Sequence, residues 1–178
     1  MRTQKQKGFA LLEVKSVKVF GGAHLKRSNA KSARPLSSKR AMHLVMRSSM
    51  AKGSLSLLKK DQDIYNTIDK QAKKHGVKVY NYANGGNHLH LIVMPMSRRA
   101  FNAFIRSISG LIARMVLSAE RGRAKLNSNV LIKKFWDQRP FTRIIEWGRD
   151  FNRTSKYLLQ NTLEAYGFIT YTPRSSTA

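Results

Sequence analysis

The sequence predicts an α+β domain: a ferredoxin-like split βαβ arrangement with an antiparallel sheet, followed by one more helix at its C-terminal end. Three observations carry this. Apolar residues recur with period two in four short stretches and at steps of three and four in three longer ones. Read along the chain, these give the order β-α-β-β-α-β-α, whose first six elements make the split βαβ layout with two helices on one face. At 178 residues and 20.3 kDa, the chain has the length of one domain and enough apolar mass for its own core.

Each element has its own signature. Arg40 to Ser48 alternates Met42, Leu44 and Met46 with Ala41, His43 and Val45, as a half-buried strand does. From Ser54 to His75 the period changes: Leu57, Leu58, Ile64, Tyr65, Ile68 and Ala72 form a stripe, with Ser54 placed to cap and Gly76 to terminate. Val77 to Tyr82 is a second strand, and His88 to Met94 returns from it after Asn84-Gly85-Gly86-Asn87, residues that tolerate a hairpin turn. Ser97 caps the next helix, where Phe101, Phe104, Ile105, Ile108, Leu111, Ile112, Met115 and Val116 give the cleanest amphipathic pattern. Ala119 to Lys134 reads as a basic loop, Phe141 to Trp147 as a fourth strand, and Asp150 to Tyr166 as the last helix, closed by Gly167. Beyond it, GFITYTPR either adds a short strand or trails away. The organisation expected is a basic N-terminal extension over 1–39, in which Val14, Val17 and Val19 could form a short strand, a domain over 40–168, and a tail over 169–178.

Charge narrows the partners. The chain carries 34 Lys and Arg against 9 Asp and Glu, a net charge of +25. Thirteen basic residues and one acidic residue lie in 1–52, and twelve against four in 97–150, whereas 53–96 is nearly balanced. So large an excess points to a polyanion, nucleic acid before an anionic membrane surface. Lys26, Arg27, Lys31 and Arg34 in the first basic region could track phosphates, as could Arg121, Arg123, Lys125, Lys133 and Lys134 in the second. With no cysteine there is no disulfide framework, thiolate zinc site or thiol nucleophile. The longest apolar run, Leu91 to Met96, is far short of a membrane span, and the apolar run near the start stops at Glu13, so no secretory signal is expected. A soluble cytoplasmic protein is the expectation.

His88-Leu89-His90 is the sharpest chemical feature. Side chains two apart on a strand share a face, so the two imidazoles stand one pleat apart while Leu89, Leu91 and Val93 enter the core. Such a pair can chelate one divalent cation; the spacing alone fits two ligand-free strand histidines as well. Tyr157 and Asn161, four apart on the predicted last helix, also share a face. Laid over the histidines, that helix would deliver a hydroxyl and an amide oxygen together. The spacing alone also fits a packing tyrosine and a solvated asparagine. Tyr80 and Tyr82 are expected on one strand face, either stacking on bases or packing, and Phe135 and Trp136 either stack on a base or anchor their loop.

Taken in order, NHLHLIV, a long amphipathic helix, FWDQRPFTRII and KYLLQN resemble the HUH-type single-tyrosine transposases, especially the REP-associated tyrosine transposases. The resemblance covers roughly residues 40–168; HLH alone is a weak motif, and HLH followed by YLLQN is a strong one. It implies that His88 and His90 are metal ligands, Tyr157 the nucleophile, and Asn161 the third ligand, with magnesium or manganese as the ion. It also implies single-stranded, hairpin-forming DNA as substrate, a 5′-phosphotyrosine intermediate and a monomer or homodimer. Lys156 would add positive charge beside the tyrosine, although the neighbouring helical position aims it about 100° away. Two features depart from the family pattern: the glycine pair Gly85-Gly86 before Asn87, and the length of the basic front. A histidine-triad hydrolase would need a histidine where Ile92 stands, and a two-histidine phosphoesterase would need two His-x-Ser/Thr motifs. The alternative that survives is a catalytically inactive or domesticated relative acting as a basic nucleic-acid-binding protein.

Overall fold

A computed structural model of the chain describes residues 20–21, 33–118 and 134–172. Its strands are β1 (Phe20–Gly21), β2 (Met42–Arg47), β3 (Val77–Asn84), β4 (His88–Pro95) and β5 (Phe141–Ile144); its helices are α1 (Asp61–His75), α2 (Arg98–Val116) and α3 (Arg149–Ala165). The strands form one sheet in the order β1-β5-β2-β4-β3, with every neighbouring pair antiparallel. The portion β5-β2-β4-β3 is the split βαβ layout, because β4 lies between β2 and the strand that follows α1.

The two faces of the sheet carry separate cores. Met42, Leu44 and Met46 of β2 and Leu89, Leu91 and Val93 of β4 point to one face and meet Ile64 and Ile68 of α1 and Phe101, Phe104, Ile108 and Ile112 of α2. All of these are essentially shielded from water; truncating one of the large ones to alanine would cost about 2–5 kcal/mol. On the other face Ala41, Ala83, Ile92 and Ile145 receive Leu158 of α3, with Tyr80, Phe151 and Tyr157 packed around them. The predicted histidine face is therefore the face that α3 covers.

Helix ends follow local chemistry. Ser97 Oγ accepts from the Ala100 amide at 3.1 Å and caps α2. Asp61 and Asp63 begin α1 and Lys73, Lys74 and His75 end it, signs that suit the helix dipole. Gly76 closes α1 at φ 63°, ψ 47°, a left-handed position that glycine adopts without steric cost.

Several expectations need correction. The stretch expected to be helical from Ser54 instead makes two short 3-10 turns, Gly53–Leu55 and Leu57–Lys60, before α1 begins at Asp61. The reason is a tie to the β3–β4 hairpin: the Leu57 amide donates to the Gly86 carbonyl at 2.8 Å, outside any helical ladder. Ser56, not Ser54, supplies a cap, accepting from the Leu58 amide at 3.4 Å. The fourth strand is shorter than expected and α3 starts one residue earlier, at Arg149. Residues 168–172 form no strand, and the Val14, Val17 and Val19 region and residues 119–133 of the expected loop lie outside the described residues. Phe20 and Gly21 pair with β5, an edge strand the sequence did not signal.

Tyr80 and Tyr82 do not share a face. Val79 pairs with Val93 and Asn81 with Ile92, so Tyr80 is an extra residue in the ladder. A bulge of one residue reverses the alternation beyond it. Tyr80 therefore joins the α3 side, with Trp147 and Phe151 at ring-centroid distances of 5.5 and 5.6 Å. Tyr82 turns to the other side, where its hydroxyl donates to Asp61 Oδ1 at 2.6 Å. Phe135 is buried, and Trp136 Nε1 donates to the Ser109 carbonyl at 2.9 Å, so this pair anchors its segment to α2.

Candidate active site

Strand β4 presents His88 and His90 to the α3 face with ring centroids 4.7 Å apart and planes nearly perpendicular. His90 is buried and His88 half-buried. His88 Nδ1 lies 2.6 Å from Asn87 Oδ1. A carbonyl oxygen can only accept, so in the neutral ring Nδ1 carries the proton and Nε2 is the lone-pair nitrogen. His90 Nδ1 lies 2.9 Å from Nε2 of His43, a buried histidine on β2 whose ring is nearly coplanar with that of His90. The His43 pKa is lowered to about 4, first by burial and then by the Arg143 guanidinium, with Asp150 pulling the other way. At neutral pH its ring is uncharged and can accept a hydrogen bond.

Gly85 leaves the space in which His88 sits. A Cβ at position 85 would stand 2.3 Å from His88 Cε1 and 2.6 Å from Nε2. The first member of the glycine pair before the HLH motif thus has a steric explanation. The second, Gly86, turns the loop at φ 81°.

Helix α3 brings Tyr157 against the histidines. Its ring is edge-on to His90 at a centroid distance of 5.4 Å and an interplanar angle of 89°, and edge-on to His43 at 6.1 Å. One turn later Asn161 is buried, and its Nδ2 donates to the Tyr157 carbonyl at 2.8 Å. That bond orients the amide nitrogen toward the helix backbone and Oδ1 away from that carbonyl.

Both ends of the helix are fastened. Arg143 of β5 donates two hydrogen bonds to the Asp150 carboxylate, at 2.9 and 3.0 Å, and one to Thr154 Oγ1 at 3.0 Å. The Arg143 bonds hold the Asp150 pKa below the ordinary carboxylate value, against the effect of burial. At the far end the Tyr166 hydroxyl donates to Asp61 Oδ2, while Tyr82 and Asn84 donate to Oδ1. The hydrogen bond to Asp61 pushes the Tyr166 pKa up to about 12, and burial followed by Asp61 raises that of Tyr82.

The basic residues divide. Lys134 and Lys156 are exposed. Arg34 is partly buried: its guanidinium donates to Thr142 Oγ1 at 3.2 Å and lies over the Phe101 ring, on the side of α1 and α2. Burial, then Arg139, lowers its pKa. Lys26, Arg27, Lys31, Arg121, Arg123, Lys125 and Lys133 lie outside the described residues. His43, Arg143 and Asp61 escaped the sequence reading, since strand register and helix docking, not local spacing, bring them to their partners. Among the described residues no group of three or more His, Cys, Asp or Glu is arranged to hold a metal ion; the donor set expected from the sequence is two imidazoles and an amide. No described helix is long and apolar enough to cross a membrane.

The sequence pattern of the family described as "Transposase IS200 like" matches residues 37–161, a span that takes in His88, His90, Tyr157 and Asn161. The chain belongs to the IS200-like transposase family. That membership makes DNA transposition its class of activity. Among solved structures, the chain is similar to a REP-associated tyrosine transposase bound to a REP hairpin, at 15% identity and a TM-score of 0.59, over 79% of this chain and 76% of that one. A Deinococcus radiodurans R1 protein described as a transposase aligns at 12% identity and a TM-score of 0.43, over 76% of this chain and 97% of that one. The first likeness agrees with the fold found here. Comparison with curated proteins finds no match.

Proposed function

We propose that this transposase is a single-strand DNA endonuclease and strand transferase that works with a divalent cation on hairpin-forming DNA. The observation that supports it is Tyr157 edge-on to His90 at 5.4 Å, on a chain of net charge +25. The donor set suits a cation: His88 has Nε2 as its lone-pair nitrogen, and Asn161 has its amide nitrogen turned to the helix. His88, His90 and Asn161 would hold Mg2+ or Mn2+ and leave positions for phosphate oxygens. When bound, the ion supplies Lewis-acid polarisation of the scissile phosphate.

The side chains do the rest. A phenol is a weak nucleophile at neutral pH, so geometry and phosphate activation must carry the step. Tyr157 Oη attacks phosphorus in line, the bond from phosphorus to the 3′ oxygen breaks, and a 5′-phosphotyrosine forms. The phenolic proton passes to solvent, and the departing oxygen takes up a proton as a 3′-hydroxyl. One phosphoester replaces another, so a second DNA 3′-hydroxyl can reverse the step without ATP. Lys134 and Lys156, both exposed, would contact the DNA backbone together with the basic residues at 26, 27, 31, 121, 123, 125 and 133. The relative bound to a REP hairpin makes hairpin DNA the substrate to try first.

The test incubates the protein with labelled single-stranded hairpin DNA and manganese, beside Tyr157→Phe. A covalent adduct from the wild type, absent in the variant, is expected. Binding without adduct across a set of hairpins would refute the catalytic reading and favour an inactive DNA-binding relative.

A further inference from the structure

We propose that His43 is a positioning residue that holds His90 in the Nδ1–H tautomer and thereby presents His90 Nε2 to the cation. The inference rests on the proposed reading of His88, His90 and Asn161 as ligands. His43 Nε2 and His90 Nδ1 are 2.9 Å apart, both residues are buried, and the rings lie edge to edge and nearly coplanar, with centroids 5.1 Å apart and an interplanar angle of 19°. The register sets this pair diagonally across β2 and β4: His43 opposes Ile92, and Val45 opposes His90.

A neutral imidazole carries one proton, so the partner of one ring nitrogen decides what the other can do. If His90 donates from Nδ1 to His43 Nε2, its own Nε2 is the lone-pair nitrogen. If the roles reverse, the proton sits on His90 Nε2 and blocks a cation there. Neighbours fix the His43 ring. Arg143 stands opposite it on β5, Tyr157 meets it edge-on at 6.1 Å, and His90 lies beside it in nearly the same plane. His88 has the corresponding arrangement in a different form, with Nδ1 committed to Asn87 Oδ1. Each histidine of the HLH motif is thus oriented through Nδ1, one by its own loop and one by the neighbouring strand. Such outer partners of metal-binding imidazoles set ring orientation and affinity.

The experiment uses the full chain. Long-range nitrogen-15 spectra of the imidazoles, recorded without metal near neutral pH, read the His90 tautomer directly. The wild type and His43→Gln are expected to show Nδ1–H, since the glutamine Oε1 can accept where Nε2 did, and His43→Leu is expected to lose that preference. In calorimetric titrations with Mn2+ alone, His43→Leu should bind about 10–100-fold more weakly and His43→Gln within about threefold of wild type. Wild-type His90 protonated on Nε2 would overturn the proposal, even if the leucine variant does not fold. Manganese affinity of His43→Leu within about twofold of wild type would overturn it too, leaving His43 a packing residue. A wild type that shows the Nδ1–H tautomer but takes up no manganese would overturn the metal reading of the site instead.

Discussion

Replacing Gly85 with alanine separates placement of the His88 ring from the folding of the hairpin. The added Cβ would lie 2.3, 2.6 and 2.9 Å from Cε1, Nε2 and Nδ1 of His88. Carbon contacts settle at about 3.5–4.0 Å, so the ring must retreat by about 1 Å or more. The 2.6 Å bond from His88 Nδ1 to Asn87 limits where it can go. Gly85 is not among the residues with positive φ, so its backbone conformation accepts alanine, and the three atoms nearest the added Cβ all belong to the His88 ring. Site geometry must hold to about 0.5 Å, and a displacement near 1 Å can cost about 100-fold in rate. Gly85→Ala should therefore weaken manganese binding and slow adduct formation by about 10–100-fold. Gly86→Ala is the control. Its φ of 81° strains an alanine, while the nearest atom to its Cβ is Leu58 Cδ1 at 3.4 Å. It should lose about 1–2 kcal/mol of stability in urea unfolding with little change in manganese affinity. Gly85→Ala with metal affinity and adduct rate within about twofold of wild type would refute the steric reasoning, as would an equal metal defect in Gly86→Ala.

Other predictions can be checked with standard measurements. Binding to single-stranded DNA should depend steeply on salt, with log K falling by about 0.7 per unit of log salt for each phosphate neutralised; a flat titration would mean the charge serves another purpose. The Asp150 pKa is lowered in the fold, so its contribution to stability is complete above the unfolded carboxylate pKa and lost as pH falls through the lower folded value. Asp150→Asn should be less stable than wild type at neutral pH, by about 1.5–3 kcal/mol, and the gap should close in acid. Asp61→Asn, which weakens acceptance from Tyr82, Asn84 and Tyr166 at once, should lower stability by about 1–3 kcal/mol in denaturant titrations. Leu158→Ala should cost about 2–5 kcal/mol, since this side chain fills the core between α3 and the sheet.

The parts of the fold that sequence reveals are those governed by local periodicity. Leu89, Leu91 and Val93 alternate with the histidines because a regular strand must, and Ser97 caps α2 because its hydroxyl reaches an amide three residues away. Where a distant group intervenes, local reading fails. Ser54 resembles a cap until the Gly86 carbonyl takes the Leu57 amide. Tyr80 and Tyr82 would share a face only if no residue were inserted between Val79 and Asn81 in the ladder. His43 and His90 are 47 positions apart; nothing local links them, and only the β2–β4 register makes them neighbours. Tyr157 and Asn161 were legible as a pair on one helix face, but the clamps that hold that helix, Arg143 to Asp150 and Asp61 to Tyr166, come from other elements.

The extra residue in β3 has a consequence for how this strand can change length. Removing Tyr80 would not shift the frame of the sheet: Val79 would still face Val93 and Asn81 would still face Ile92, now as ordinary consecutive rungs. Deletions inside strands usually scramble the partners of every later residue; here the ladder would heal over the gap. What would vanish is the ring wedged against Trp147 and Phe151 at the root of α3. Tyr80 is spliced into the strand for the helix's benefit, and a one-residue deletion at this point would leave a tidier sheet carrying a looser tyrosine arm.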